Sequence, residues 1–77
     1  MTLKNYKDLS GRGGITGYKI LPEGIILQFQ HKHLYLYDYL RPGKDHVEQM
    51  KTLAGKGKGL TTYINQNIRE NYKQKLN

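Results

Sequence analysis

No cysteine and no tryptophan occur in the 77 residues, and phenylalanine occurs once. Without cysteine there is no disulfide to staple so small a domain and no thiolate for a metal site. A reducing compartment is compatible with that, and a cytoplasmic location is expected. Serine occurs once, as Ser10, inside a glycine-rich stretch. The six carboxylates, Asp8, Glu23, Asp38, Asp45, Glu48 and Glu70, are scattered. Neither a nucleophile–base pair nor two opposed carboxylates can be drawn from them, so an enzyme is not expected, and no catalytic residue is assigned. His31 and His33 straddle Lys32 without a third ligand nearby, which argues against a metal. No cofactor and no small-molecule substrate are implied. No apolar run reaches the length of a membrane span, and the first residues lack the apolar core of a signal peptide, so no membrane partner is expected.

What the chain has in excess is positive charge. Thirteen lysines and arginines face six acids, a formal net charge of +7. Residues 44–77 hold Lys44, Lys51, Lys56, Lys58, Arg69, Lys73 and Lys75 against Asp45, Glu48 and Glu70, and so carry +4 of it. A basic small domain is drawn to polyanions, of which nucleic acid is the commonest, although excess charge also simply keeps a protein soluble.

Residues 1–14 are polar and end in Ser10-Gly11-Arg12-Gly13-Gly14. Glycine at that density does not hold regular structure, so a flexible N-terminal arm is expected, followed by a single domain over 15–77. The first strand reads Ile15 to Leu21, with Gly17 marking a bulge or a close backbone approach. Pro22-Glu23-Gly24 is a turn. Residues 25–40 then hold the densest apolar and aromatic content. Ile25, Leu27 and Phe29 alternate, as do Tyr35, Tyr37 and Tyr39, with a polar break between the two runs. Period two is the strand period, so this is a β-hairpin.

Its register is open. A three-residue loop, His31-Lys32-His33, sets Phe29 opposite Tyr35, Leu27 opposite Tyr37 and Ile25 opposite Tyr39 on one face. A loop of two or four residues sets Phe29 opposite Leu34 and turns the tyrosines to the face of Gln28. No Asn-Gly or Asp-Gly selects between them. Ile26, Leu34 and Leu36 make the second face apolar too.

Arg41-Pro42-Gly43 ends the sheet. Asp45 with Glu48 three residues on resembles a capping box, and Val47, Met50, Leu53 and Ala54 form a helical stripe ending at Gly55. Leu60, Ile64, Ile68, Tyr72 and Leu76 recur every fourth residue, which predicts a second helix capped by Thr61 or Thr62. Asn65, Arg69 and Lys73 line a polar stripe beside it. The expected fold is α+β: a three-stranded antiparallel β-meander, then two α-helices packed on one sheet face. Its core would be Ile25, Leu27, Phe29, Tyr35, Tyr37, Val47, Met50, Leu53, Ile64 and Ile68.

Between the helices, Gly55-Lys56-Gly57-Lys58-Gly59 offers backbone N–H groups and two cations ahead of a helix start, a candidate clamp for phosphates or a plain linker. It lacks P-loop spacing. The tyrosines could stack on unpaired bases, but in a chain with so few other aromatics they are also the available core filler. The signature of an RNA-recognition motif is absent.

Three blocks carry a resemblance to a known family. They are Ile15-Thr16-Gly17-Tyr18, then Leu27 and Phe29 followed by Tyr35-Leu36-Tyr37, and finally Tyr63-Ile64-Asn65 with Ile68-Arg69 and Tyr72. Their order and spacing resemble the KTSC domain, found at the C-terminus of some lysyl-tRNA synthetases and as small stand-alone bacterial proteins. The likeness covers residues 15–73. It departs from the family at Leu40-Arg41, where Val-Pro is usual, at Leu36, where the residue is usually polar, and in the stretched Gly-Lys loop. The resemblance implies a small sheet-plus-helices domain with no established activity, with Tyr35 and Tyr37 toward the core. Attachment to a tRNA-charging enzyme suggests RNA binding. The contact surface then falls on Lys56, Lys58, Arg69 and Lys73. The expectation is a small non-catalytic nucleic-acid-binding module, RNA favoured. The alternative is a protein-interaction or self-association module using the face of Ile26, Leu34 and Leu36, with a protein partner or a homo-oligomer.

Overall fold

A computed structural model describes residues 2–7 and 14–77. The fold is α+β, with a five-stranded antiparallel sheet in sequence order rather than three strands. Strand β1 is Lys4–Asn5, β2 Ile15–Leu21, β3 Gly24–Phe29 and β4 His33–Asp38. Helix α1 spans Lys44–Lys56 and α2 Leu60–Tyr63, which runs on into a π-helical turn, Ile64–Ile68. Strand β5, Gln74–Lys75, closes the order.

The two added strands sit at the sheet edges. Part of the segment expected to be an arm holds β1, which pairs with β2 through Lys4 and Tyr18, and Asn5 and Gly17. Gly17 permits this. A Cβ there would come within 3.2 Å of the Lys4 carbonyl oxygen, and the β2–β3 register shifts between Ile15 and Gly17. The bulge expected at Gly17 is therefore also a docking place. Tyr6 follows β1 into the core, 6% exposed, and its hydroxyl accepts a hydrogen bond from the Leu60 N–H at 3.2 Å. Residue 1 and residues 8–13 of the expected arm, Ser10 among them, lie outside the described residues.

The hairpin loop has three residues, Gln30-His31-Lys32, one position earlier than the three-residue alternative placed it. Phe29 pairs with His33, Leu27 with Tyr35 and Ile25 with Tyr37. Each partner is displaced by two, and because side chains alternate with period two, the faces are those of that alternative. The Lys32 N–H donates to the Phe29 carbonyl, with Gln30 and His31 at φ 56° and 59°. This is the conformation for which hairpins favour Asn-Gly. Residues at the start of β2 hold it: Gly14 O, just before the strand, accepts from the Gln30 N–H, and Thr16 Oγ1 from the His31 N–H.

Helix α1 starts one residue before Asp45. Gly43 is its N-cap, and no side chain caps it. Glu48 does not close a capping box. It accepts from the Tyr39 hydroxyl at 2.7 Å and pairs with Lys51 at 3.0 Å, which together hold its carboxyl below its ordinary range. The helix runs past Gly55 to Lys56, because Gly57, at φ 77°, takes the left-handed position and donates to the carbonyls of Leu53 and Ala54. Gly59, not Thr61 or Thr62, caps α2. The Thr61 hydroxyl is the one buried polar side-chain atom without a partner among the described residues.

The second helix is the largest correction. It stops at Ile68 rather than continuing to Leu76. The Arg69 N–H closes on the Ile64 carbonyl at 2.6 Å, the chain turns, and residues 73–77 pair with β4. An unpaired β4 edge would leave a row of open N–H and C=O groups. Here the Leu36 carbonyl accepts from Lys73 and the Leu34 carbonyl from Leu76, while the Asn77 side chain bridges Leu34 N–H and Lys32 O.

The helices cover one sheet face. Ile25, Leu27, Tyr37, Val47, Met50, Ile64 and Ile68 are buried, and Phe29, Tyr35 and Leu53 are half-buried against them. Ile15, Ala54 and Leu60 complete the cluster.

Candidate nucleic-acid interface

Strand alternation brings Phe29, Tyr35 and Tyr37 to the helix-covered face, and His33, opposite Phe29, joins them. The π-helical turn and the bend after it set Ile64, Asn65, Arg69, Glu70 and Tyr72 against that row. With Gln30 these residues line an open cleft of about 410 Å³. The Tyr72 ring lies 4.7 Å from Tyr35, tilted at 54°, and 6.4 Å from Tyr37, nearly perpendicular. Phe29 meets Tyr35 edge-on at 5.6 Å. The edge-to-face pairs among them are favourable packings.

Tyr37 forms the floor. It is 2% exposed, and burial, followed by the neighbouring phenols of Tyr35 and Tyr72, pushes its hydroxyl well above the ordinary tyrosine range. It therefore remains a neutral donor. Tyr37 is among the residues that line the cleft, and its hydroxyl makes no hydrogen bond to a described residue. Arg69 stands on the rim, exposed, at φ 52° and ψ −118°. Its guanidinium has no partner among the described residues, where the one ion pair is Lys51–Glu48.

The four cations expected to form the contact surface are all exposed, but they are divided. Lys56 and Lys58 flank Gly57, where α1 passes to α2. Arg69 follows the far end of the second helical segment, after Ile68. Lys73 enters β5 with its N–H on the Leu36 carbonyl. The Asn65–Arg69–Lys73 stripe does not persist: Asn65 and Arg69 both line the cleft, and Lys73 lies beyond the helix end.

Sequence reasoning missed Lys75, which β5 sets directly opposite Tyr35 and so on the cleft side of the sheet. Its short strand carries no periodic signal. His33 also escaped, although its two-residue spacing from Tyr35 was the available clue. Tyr63 turns away and bonds to His46 Nδ1 at 2.7 Å. Phe29, Tyr35, Tyr37, Ile64, Asn65, Arg69 and Tyr72, drawn from two separate sequence blocks, meet at this one cleft.

Among the described residues no cluster of three or more His, Cys, Asp or Glu could hold a metal ion, and no helix is long and apolar enough to cross a membrane. Protein-family models, curated proteins and solved structures give no match to this chain.

Proposed function

We propose that this chain is a non-catalytic nucleic-acid-binding module, RNA favoured, that acts through phosphate contacts in a cytoplasmic setting. The observation that carries the reading is the state of its cations. Of the described lysines and arginines only Lys51 is ion-paired, and Lys56, Lys58, Arg69 and Lys73 are exposed on a protein of net charge +7. Unpaired surface cations are free to replace the counterions of a phosphate backbone. Kinship with KTSC domains is part of this proposal, supported by the meeting of residues from the second and third of its blocks at one cleft. The test is a salt titration of binding to tRNA, duplex DNA and a single strand. Binding to at least one at low salt, weakening steeply as salt rises, is expected. A folded protein that binds none of the three at low salt would eliminate the reading.

A second reading is a protein-interaction module. The face away from the helices carries Ile26, Leu34 and Leu36, with a shallow hollow between Leu21, Gly24 and Leu36. An apolar face of this kind suits a partner or a second copy. Ile26, however, is only 7% exposed, since Lys19 and Leu36 flank it within the sheet. Less apolar surface is therefore open than the residue types suggest, which ranks this reading second. It expects a concentration-dependent dimer in light scattering, and a strict monomer at high concentration counts against self-association.

A further inference from the structure

We infer that the cleft between Phe29, Tyr35 and Tyr72 is a pocket for an unpaired base of single-stranded RNA, with Arg69 meeting the adjoining phosphate. This rests on the nucleic-acid reading above and gives it a specific site.

The cleft's size comes first. Its volume of about 410 Å³ falls within the range of roughly 300–1,000 Å³ typical of small-ligand pockets, so a base can enter. Its walls are aromatic, and every base has a π-face to stack on them. Its lining includes polar groups that suit a base edge: the Tyr37 hydroxyl and the Asn65 and Gln30 amides. The one Lys or Arg among its described lining residues, Arg69, is exposed, and Lys75 stands opposite Tyr35 in the sheet. Glu70 on the rim disfavours a small free anion inside. The arrangement therefore fits a neutral ring within and phosphates outside. A duplex cannot use it, because its bases are already paired and stacked.

The backbone supplies the independent observation. The Asn71 N–H donates to the Ile68 carbonyl at 3.0 Å, closing a turn in which Arg69 has φ 52° and ψ −118°. Those angles belong to the first central residue of a type II′ turn, a position dominated by glycine. An arginine there is strained, yet its side chain bonds to nothing among the described residues, so the fold gains no visible contact from it. Gln30, across the cleft, is also at positive φ. The positive φ of Gln30 belongs to the hairpin turn described above, so Arg69 is the lining residue whose strained backbone gains no side-chain contact among the described residues. Strain of this kind gathers at ligand sites, where orientation of a side chain is worth its cost.

The experiment uses the full chain with a short single-stranded RNA carrying one 2-aminopurine, and the same RNA annealed to its complement. The single strand is expected to bind roughly tenfold or more tighter than the duplex, with a change in 2-aminopurine fluorescence as the base stacks. Tyr72→Leu keeps apolar volume but removes a ring. It should abolish the single-strand advantage and leave duplex affinity within about twofold. Arg69→Gly, which relieves the turn, should raise the melting temperature while the 2-aminopurine signal is lost. Equal affinity for both RNA forms, or Tyr72→Leu weakening both alike, would overturn the pocket and leave the phosphate-binding module standing. A 2-aminopurine signal unchanged in Arg69→Gly would also overturn it. Failure of the wild-type chain to bind either form would overturn the pocket and the module together.

Discussion

Truncation of Leu27 to alanine lowers the free energy of unfolding by about 2–5 kcal/mol. Leu27 is fully buried in the central strand, between Tyr18 on β2 and Tyr35 on β4, beneath the helices. Its removal leaves a cavity that a sheet pinned on both sides cannot close. A domain of 77 residues holds roughly 4–12 kcal/mol in total, so this one change consumes a large share of it. Leu36→Ala is the matched control: the same residue type, half-buried, on the uncovered face. It should cost about 1 kcal/mol. Urea denaturation followed by circular dichroism measures both. A larger loss at Leu36 than at Leu27 would mean that the faces are assigned the wrong way round.

That contrast also marks where the fold was legible. Strand β2 could be read from Ile15 to Leu21 because alternation and the flanking glycine and proline agree. The period of the tyrosines puts all three on one face, but leaves open whether Phe29 or Gln28 shares it. The register itself was hidden, since Gln30 and His31 adopt positive φ without being turn formers. They are held there by Gly14 and Thr16, residues far away in sequence. An Asn-Gly pair would have announced the turn. Helix α1 was visible in its stripe, while its ends were set by backbone conformation at Gly43 and Gly57, which several nearby glycines could equally have supplied.

The second helix shows a deeper limit. Leu60, Ile64, Ile68, Tyr72 and Leu76 keep perfect helical spacing, yet only the first three are helical. Tyr72 instead packs its ring on Tyr35, and the residues after it satisfy the open edge of β4. Periodicity records which side chains seek the core; it does not record that a neighbouring strand has unpaired backbone groups. The candidate site was half legible for the same reason. Arg69 was found through its charge, but its place beside four aromatic rings depends on the turn that breaks the helix. Lys75 could be found only once β5 was known.

Duplex affinity should fall roughly a hundredfold between 50 and 200 mM salt if Lys56, Lys58, Arg69 and Lys73 each meet a phosphate, since four contacts give a log–log slope near −3.6. The divided placement of these residues makes the slope informative. Lys56 and Lys58 precede the second helical segment and Arg69 follows it, so the two ends can be tested apart. The double change Lys56→Ala with Lys58→Ala should flatten the slope by about two units. Both side chains are exposed and bond to no described residue, and the positive φ angles of Gly57 and Gly59 that shape the connection are untouched. The melting temperature should therefore not move. An unchanged slope would discard the Gly-Lys connection as a contact and move the whole phosphate surface to the Arg69 end. A slope two units flatter, with the single-strand preference intact, would mean that the protein grips the backbone at one end and the base at the other.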